Sequence, residues 1–260
     1  MSAMDVYWAA PPVSRTLTAA TLALSLLTHT GLVSAYWVIL YWPAVLQIPP
    51  QIWRLATSCI LSGPQLGILL DPYFLYTYGS QLEVGSPRFT QPGDFLMYII
   101  FCCTTIIGIN YFWTGSTIFT SALILAFVYT SCQDNRGGKF NFMVVNIPAQ
   151  WAPIAMIFVT FVMNGPYAAQ VQTTGLLAAH LYDFLTRLYP EFGGGWNPMI
   201  TPDFVRRWFA PKVTGVSSRV YGTAITPADR RSQGSSSSAS RGPLPDSWGN
   251  RGGGRRLGGD

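Results

Sequence analysis

The chain has 260 residues, 49% of them hydrophobic and only 10% charged, well under the roughly 25% charged residues of soluble domains, which excludes a water-solvated globular core as its main architecture. The formal net charge is +5, yet residues 1–200 hold six basic and seven acidic groups while residues 201–260 hold ten basic and four acidic. The excess sits in the tail, where basic residues beside a membrane favour anionic headgroups; no folded nucleic-acid module is legible, so no nucleic-acid partner is expected.

Six apolar stretches occupy residues 16–37, 55–78, 94–110, 115–132, 148–164 and 170–189. They predict an all-α polytopic membrane protein, a six-transmembrane helix bundle over 16–189 preceded by a short cytosolic segment, 1–15. Residues 16–27 could serve as the apolar core of a signal peptide, with Val33-Ser34-Ala35 resembling a cleavage site. Only Asp5 and Arg15 precede it, however, and cleavage would leave five spans. An uncleaved first span is therefore expected. Arg15, Arg88, Arg136, Lys139, Arg187 and the tail fall on one side of six spans, and only Arg54 falls on the other. Because Lys and Arg resist translocation, both termini are expected in the cytosol.

The connection after the first span carries Tyr36, Trp37, Tyr41, Trp42 and Trp53 among Pro43, Pro49 and Pro50. It is too broken to span and aromatic enough for the headgroup layer. Arg54 either snorkels from a helix end or pins this loop to the bundle.

In the second span Gln65, Asp71 and Tyr73 lie at membrane depth, and Gln150 and Asn164 bound the fifth. Such groups either join helices or line a groove that admits water and a polar polypeptide segment. The third and fifth spans, at about 17 residues or roughly 25 Å of helix, fall short of about 30 Å of hydrocarbon, and such mismatch thins a bilayer. Cys59, Cys102, Cys103 and Cys132 show no metal-ligand spacing, so no metal and no cofactor are expected.

Residues 190–210 are expected at the membrane surface, with a short amphipathic turn over 202–209 carrying Arg206, Arg207, Trp208 and Phe209. Residues 211–260, rich in Gly, Ser and Arg, bury too little apolar area to offset chain entropy and are expected to be disordered.

Trp53-Arg54 at the start of the second span resembles the tryptophan–arginine motif of the derlins, the inactive branch of the rhomboid superfamily. Further matches follow in order: YGSQLEVG at 78–85, Gly93-Asp94-Phe95, Val128-Tyr129, KFNFMVVN at 139–146 and GLLAAHLYDFL at 175–185. The resemblance covers about residues 7–209 and implies a rhomboid-like bundle. Gly175 and Ala179 lie one turn apart on one helical face that lets a neighbouring backbone approach. The family pattern has glycine at both positions.

Rhomboid proteases pair a serine embedded in Gly-x-Ser-Gly with a histidine in the sixth span. Here Ser121 stands in Phe119-Thr120-Ser121-Ala122, and His180 is in the sixth span. Gly67 and Asp71 occupy the places of the oxyanion-hole His and Asn, where an ionised carboxylate would repel the developing charge. An active intramembrane protease is thus disfavoured. A channel or transporter is the other rival, although no inverted repeat is visible.

The resemblance implies a non-catalytic component of endoplasmic-reticulum-associated degradation in the endoplasmic reticulum membrane. Its expected partners are membrane lipid, misfolded polypeptides, a membrane ubiquitin ligase complex and further copies or relatives of the chain. Gly252, Gly254, Arg255, Arg256 and Leu257 resemble the box by which derlin tails recruit an AAA ATPase of the valosin-containing-protein type. Trp248 stands in for an aromatic residue that the family places directly before the first glycine, where this chain has Arg251.

Overall fold

The computed structural model describes residues 3–64, 66–91, 93–135, 137–142, 145–192 and 201–209. Gln65 and the tail residues Trp248, Gly252, Gly254, Arg255, Arg256 and Leu257 lie outside the described residues.

Helix α1, Ala3–Ala9, leads into α2, Pro12–His29, whose first residue is a proline tolerated because its position needs no amide donor. The free donors that follow are met from a distance. The Glu83 carboxylate accepts the Val13 and Ser14 N–H groups at 3.0 and 2.7 Å and the Ser14 hydroxyl at 2.6 Å, placing an anion at the positive end of the helix. The first span was expected to run on to residue 37. Instead α2 stops at His29, before Gly31 at φ 78°, and the chain continues as two single-turn helices, α3 at Ala35–Val38 and α4 at Trp42–Val45.

The second span is likewise divided. Helix α5 covers Trp53–Ile60 and α6 covers Gly67–Gly85. Pro64 lacks an amide donor and pushes Gly63 out of helical geometry, so the ladder ends at Ile60. Neighbouring elements take up the freed backbone groups. Thr120 donates to the Leu61 carbonyl at 2.6 Å, the Phe119 amide to the Ser58 carbonyl at 2.9 Å, and the Ser62 amide to Ser25 Oγ at 3.0 Å.

Helix α7, Asp94–Phe112, has 19 residues, or about 28 Å. The third span is thus longer than its expected 17 residues. The short helices are α8, Thr120–Asp134, with 15 residues, and the first half of α9, about 13 residues long. Helix α9 runs Ala152–Asp183 across a break at Gly165, φ 86°, followed by Pro166; these two residues separate the fifth and sixth spans. A π turn at Phe184–Leu188 and a single helical turn, α10 at Tyr189–Phe192, follow, and α11 covers Asp203–Phe209. One short hairpin joins the helices: β1, Lys139–Phe142, pairs antiparallel with β2, Val145–Pro148, with Asn141 opposite Asn146. By length and hydropathy, Asp94–Phe112 and the run Ala149–Phe192 are each able to cross a membrane.

Helix α8 is the axis of the bundle. Residues 122–128 are each at most 2% exposed, with α6, α7 and α9 packed around them. Lipid supplies no hydrophobic drive between helices, so small residues and interhelical hydrogen bonds hold such a bundle. Asn110 of α7 donates to Thr174 of α9 at 2.8 Å, Ser131 of α8 to Gln81 of α6 at 3.0 Å, and the Tyr98 hydroxyl of α7 to the Ala126 carbonyl of α8 at 3.0 Å.

Candidate functional site

Arg54 opens α5 and is fully buried. Its Nε donates to Gln51 Oε1 at 2.6 Å, and Nη1 donates to the Ile39 carbonyl at 3.0 Å and to the Tyr36 carbonyl. The guanidinium lies over the Tyr36 and Trp37 rings, 4.9 and 5.9 Å from their centroids. A snorkelling arginine would reach outward; this one turns inward and gathers the carbonyls of α3 and of the residue that follows it. Trp53 is half exposed, and Thr57, one turn on, adds a bond to the Val38 carbonyl at 2.7 Å.

Gly175 is where α9 meets α8. A Cβ there would stand 1.8 Å from the Ala122 carbonyl oxygen, so only glycine allows this approach. Ala179 is buried one turn later and accommodates its methyl. The same register separates His180 from Ser121. His180 Nδ1 pairs with the Tyr129 hydroxyl at 3.0 Å, and Tyr129 is eight residues, or about 12 Å of helix rise, beyond Ser121. The histidine's partner is therefore a tyrosine two turns from the serine.

Asp71 lies in the first turns of α6, half-buried, and its Oδ2 accepts the Gly63 amide across the helix break at 3.3 Å. The Asp71 carboxylate acts here as an acceptor, whereas an oxyanion hole needs donors. Tyr73 is about half exposed on the same helix. Gln150, in the 3-10 turn just before α9, and Asn164, at the end of its first half, are both exposed and stand about 20 Å apart by helix rise. The described candidate groove residues are thus divided between α6 and the flank formed by the first half of α9, and are not gathered at a point.

That flank has a property the sequence did not disclose. In the first half of α9 only Ala152, Pro153 and Met156 are buried, and none of residues 157–168 is. Phe158, Phe161, Val162 and Met163 are each more than half exposed. Helix α6 is held by α2 and α8, and α9 by α8 and α7.

A second missed feature lies at the end of the bundle nearest α11. Arg88, in the loop between α6 and α7, bonds Asp134 at the end of α8 and Asp183 in the last turn of α9, each at 2.5 Å. Ser86 donates to the other oxygen of Asp134 at 2.5 Å. Burial pulls the Arg88 pKa down, but the two carboxylates outweigh it and hold the guanidinium above its ordinary value. In the sequence Arg88 reads only as a loop cation. Its convergence with Asp134 and Asp183 over 46 and 95 residues of chain has no local signature.

The sequence profile of the Der1-like family matches residues 10–203. Derlin-1 of Homo sapiens is 31% identical over 234 residues, covering 87% of this chain and 89% of that protein. Derlin-1 of Arabidopsis thaliana is 28% identical over 207 residues, covering 78% and 76%. The DER1-like family member protein 1 of Saccharomyces cerevisiae is 28% identical over 194 residues, covering 67% and 54%. With its bundle, its buried Arg54 and its separated Ser121 and His180, the chain belongs to the Der1-like family, the derlins, non-catalytic rhomboid-like pseudoproteases of the endoplasmic reticulum membrane with a role in endoplasmic-reticulum-associated degradation.

Proposed function

We propose that the chain assists retrotranslocation by admitting a segment of a misfolded polypeptide sideways, between α6 and the first half of α9. The observation that carries this reading is the run 158–168, in which no side chain is buried or joins the core cluster, and Tyr167 donates to the Thr114 carbonyl at 3.3 Å. Displacing it costs little packing, because the contacts of α9 are concentrated in its second half.

Two features lower the cost of passage. Helix α8 and the first half of α9 are shorter than the hydrocarbon layer is thick, and the bilayer thins to meet them. Asp71, Tyr73, Gln150 and Asn164 offer hydrogen-bonding groups along the flank, so that a polar backbone entering it exchanges water for protein rather than for hydrocarbon. Arg54 and the Gly175–Ala179 face keep the remaining spans fixed while the flank yields.

With both termini in the cytosol, the tail extends on the exit side. There Gly252, Gly254, Arg255, Arg256 and Leu257, with Trp248 as displaced anchor, recruit an AAA ATPase by an apolar side chain and charge pairing. A membrane ubiquitin ligase and further derlin copies complete the assembly. Truncation after Ser247 should abolish co-purification of the ATPase while leaving the bundle intact.

Site-specific crosslinkers placed along α6 and at 154–163 during degradation of a luminal misfolded protein test the path. Adducts on both elements are the expected result. Adducts on neither, with turnover continuing, would overturn it.

A further inference from the structure

Beside the Arg88 hub lies a cavity of about 640 Å³ between the ends of α7, α8 and α9 and the start of α11, within the range of ligand pockets. Three guanidinium groups line it, Arg88, Arg187 and Arg206, along with three carboxylates, Asp94, Asp134 and Asp183. The charges are distributed unevenly. Asp134 and Asp183 hold Arg88 at 2.5 Å, whereas Arg187 and Arg206 are only loosely engaged, at 3.6 and 3.7 Å from Asp183 and Asp203. The Arg88 side chain is nine-tenths buried, and its Nη2 has no hydrogen-bond partner among the described residues; neither has Arg206 Nε. Buried donors without partners are rare in folded proteins and call for an acceptor.

A polyanion would meet these donors but would stand against three carboxylates. An uncharged ligand would leave the guanidinium groups unmatched. A zwitterion of phosphate and ammonium matches both signs. Asp94, at the first turn of α7, takes its hydrogen bonds from the Gln91 amide at 2.9 Å and the Thr201 hydroxyl at 2.5 Å, and an ammonium that donates hydrogen bonds can join such a set where a trimethylammonium cannot.

The setting points to a lipid source. The cavity lies where α7 begins and α8 and α9 end, and the ends of membrane-crossing helices sit near the headgroups. Helix α11 beside it buries Val205 against Gly93, whose positive φ and missing Cβ make room for it, and leaves Phe204 and Trp208 exposed, the side chains that settle in a membrane interface.

We infer that this cavity is a binding site for a phosphoethanolamine headgroup, with the phosphate held by Arg88, Arg187 and Arg206 and the ammonium by Asp94. The site shares no residue with the lateral flank.

Full-length chain in nanodiscs of mixed phosphatidylethanolamine and phosphatidylcholine, with the annular lipid stripped and the retained lipid identified by mass spectrometry, provides the test. Retained phosphatidylethanolamine should exceed its bulk share by about tenfold, the ratio that one charge-assisted hydrogen bond supports. The double variant Arg187→Gln, Arg206→Gln should return it to the bulk share. Asp94→Asn should lower the preference over phosphatidylcholine while retaining phosphate-bearing lipid. Thermal unfolding in pure phosphatidylcholine, unchanged for the double variant, shows that folding is intact. Equal retention of both lipids by the wild type would overturn the proposal, as would enrichment that survives the double variant. If soluble glycerophosphoethanolamine displaces the lipid at equal concentration, the lipid source is wrong.

Discussion

The two halves of α9 are joined at Gly165 yet are held in different ways. The second half buries Val171, Gln172, Thr174, Gly175, Ala178 and Ala179 against α7 and α8, with Asn110 bonded to Thr174 near its middle and Asp183 bonded to Arg88 at its end. The first half buries three residues near its start and then none. Both halves are apolar, so composition does not separate them. What separates them is small-residue contact and interhelical hydrogen bonding, the interactions that survive in a lipid solvent. This chain therefore combines a tightly packed scaffold with a loosely packed flank.

The largest effect should come from breaking the scaffold at its closest approach. Gly175→Val puts a β-branched side chain where even a Cβ would lie 1.8 Å from the Ala122 carbonyl oxygen. The penalty should exceed the roughly 1–3 kcal/mol of ordinary overpacking. No monodisperse bundle is expected by fluorescence-detected size exclusion. A well-folded Gly175→Val protein would mean that the contact between α8 and α9 is not the fixed one. Gly79→Ala gives the contrast, since its new Cβ would meet the Ser14 hydroxyl at 3.2 Å, a contact that a small shift relieves.

Next comes the loop anchor. Arg54→Met removes the donor to the Tyr36 and Ile39 carbonyls and should cost roughly 2–4 kcal/mol through the acceptors left without partners. Thermal unfolding should fall, and limited proteolysis should open first within 30–52. Unchanged protection of that segment would show that the aromatic residues hold it without the arginine.

Gly165→Ala acts at the boundary between the two halves. The backbone there, at φ 86° and ψ 175°, is nearly restricted to glycine, although nothing lies within 4 Å of the new methyl. Strain of about 1–3 kcal/mol should fall on the junction alone. Hydrogen exchange should rise around 160–168 and stay constant through 171–183. A uniform rise along α9 would show that the halves are one cooperative unit.

Sequence reading reached the bundle because hydropathy and the Lys/Arg distribution are local sums, and both survive errors of several residues at helix ends. It named Gly175 and Ala179 through the resemblance, whose one-turn spacing is also local. It placed one second span where the chain has α5 and α6, although Gly63-Pro64 carried the signal, because an apolar stretch masks a helix break. It could not reach the Arg88 hub or the Glu83 cap on α2, since both join residues tens of positions apart. Nor could it tell that α9 packs on one half only, because exposed and buried apolar residues look alike when the solvent is lipid.

The smallest effect on stability should carry the largest functional information. Phe158→Ala with Phe161→Ala truncates two side chains that are 66% and 51% exposed, and since neither packs in the core, unfolding should shift by no more than about 0.5 kcal/mol. If the first half of α9 only faces lipid, degradation of a luminal substrate should proceed at the wild-type rate. If it forms one wall of the path, the aromatic surface meets the passing chain and its loss should slow turnover severalfold at equal protein level. The paired substitution of Leu177 and Leu181 by Ala provides the control, because these residues are exposed too, about two-fifths each, but belong to the second half. Slowing confined to the first pair would assign the function to the loosely packed flank; equal slowing by both pairs would assign it to the apolar surface of the bundle as a whole.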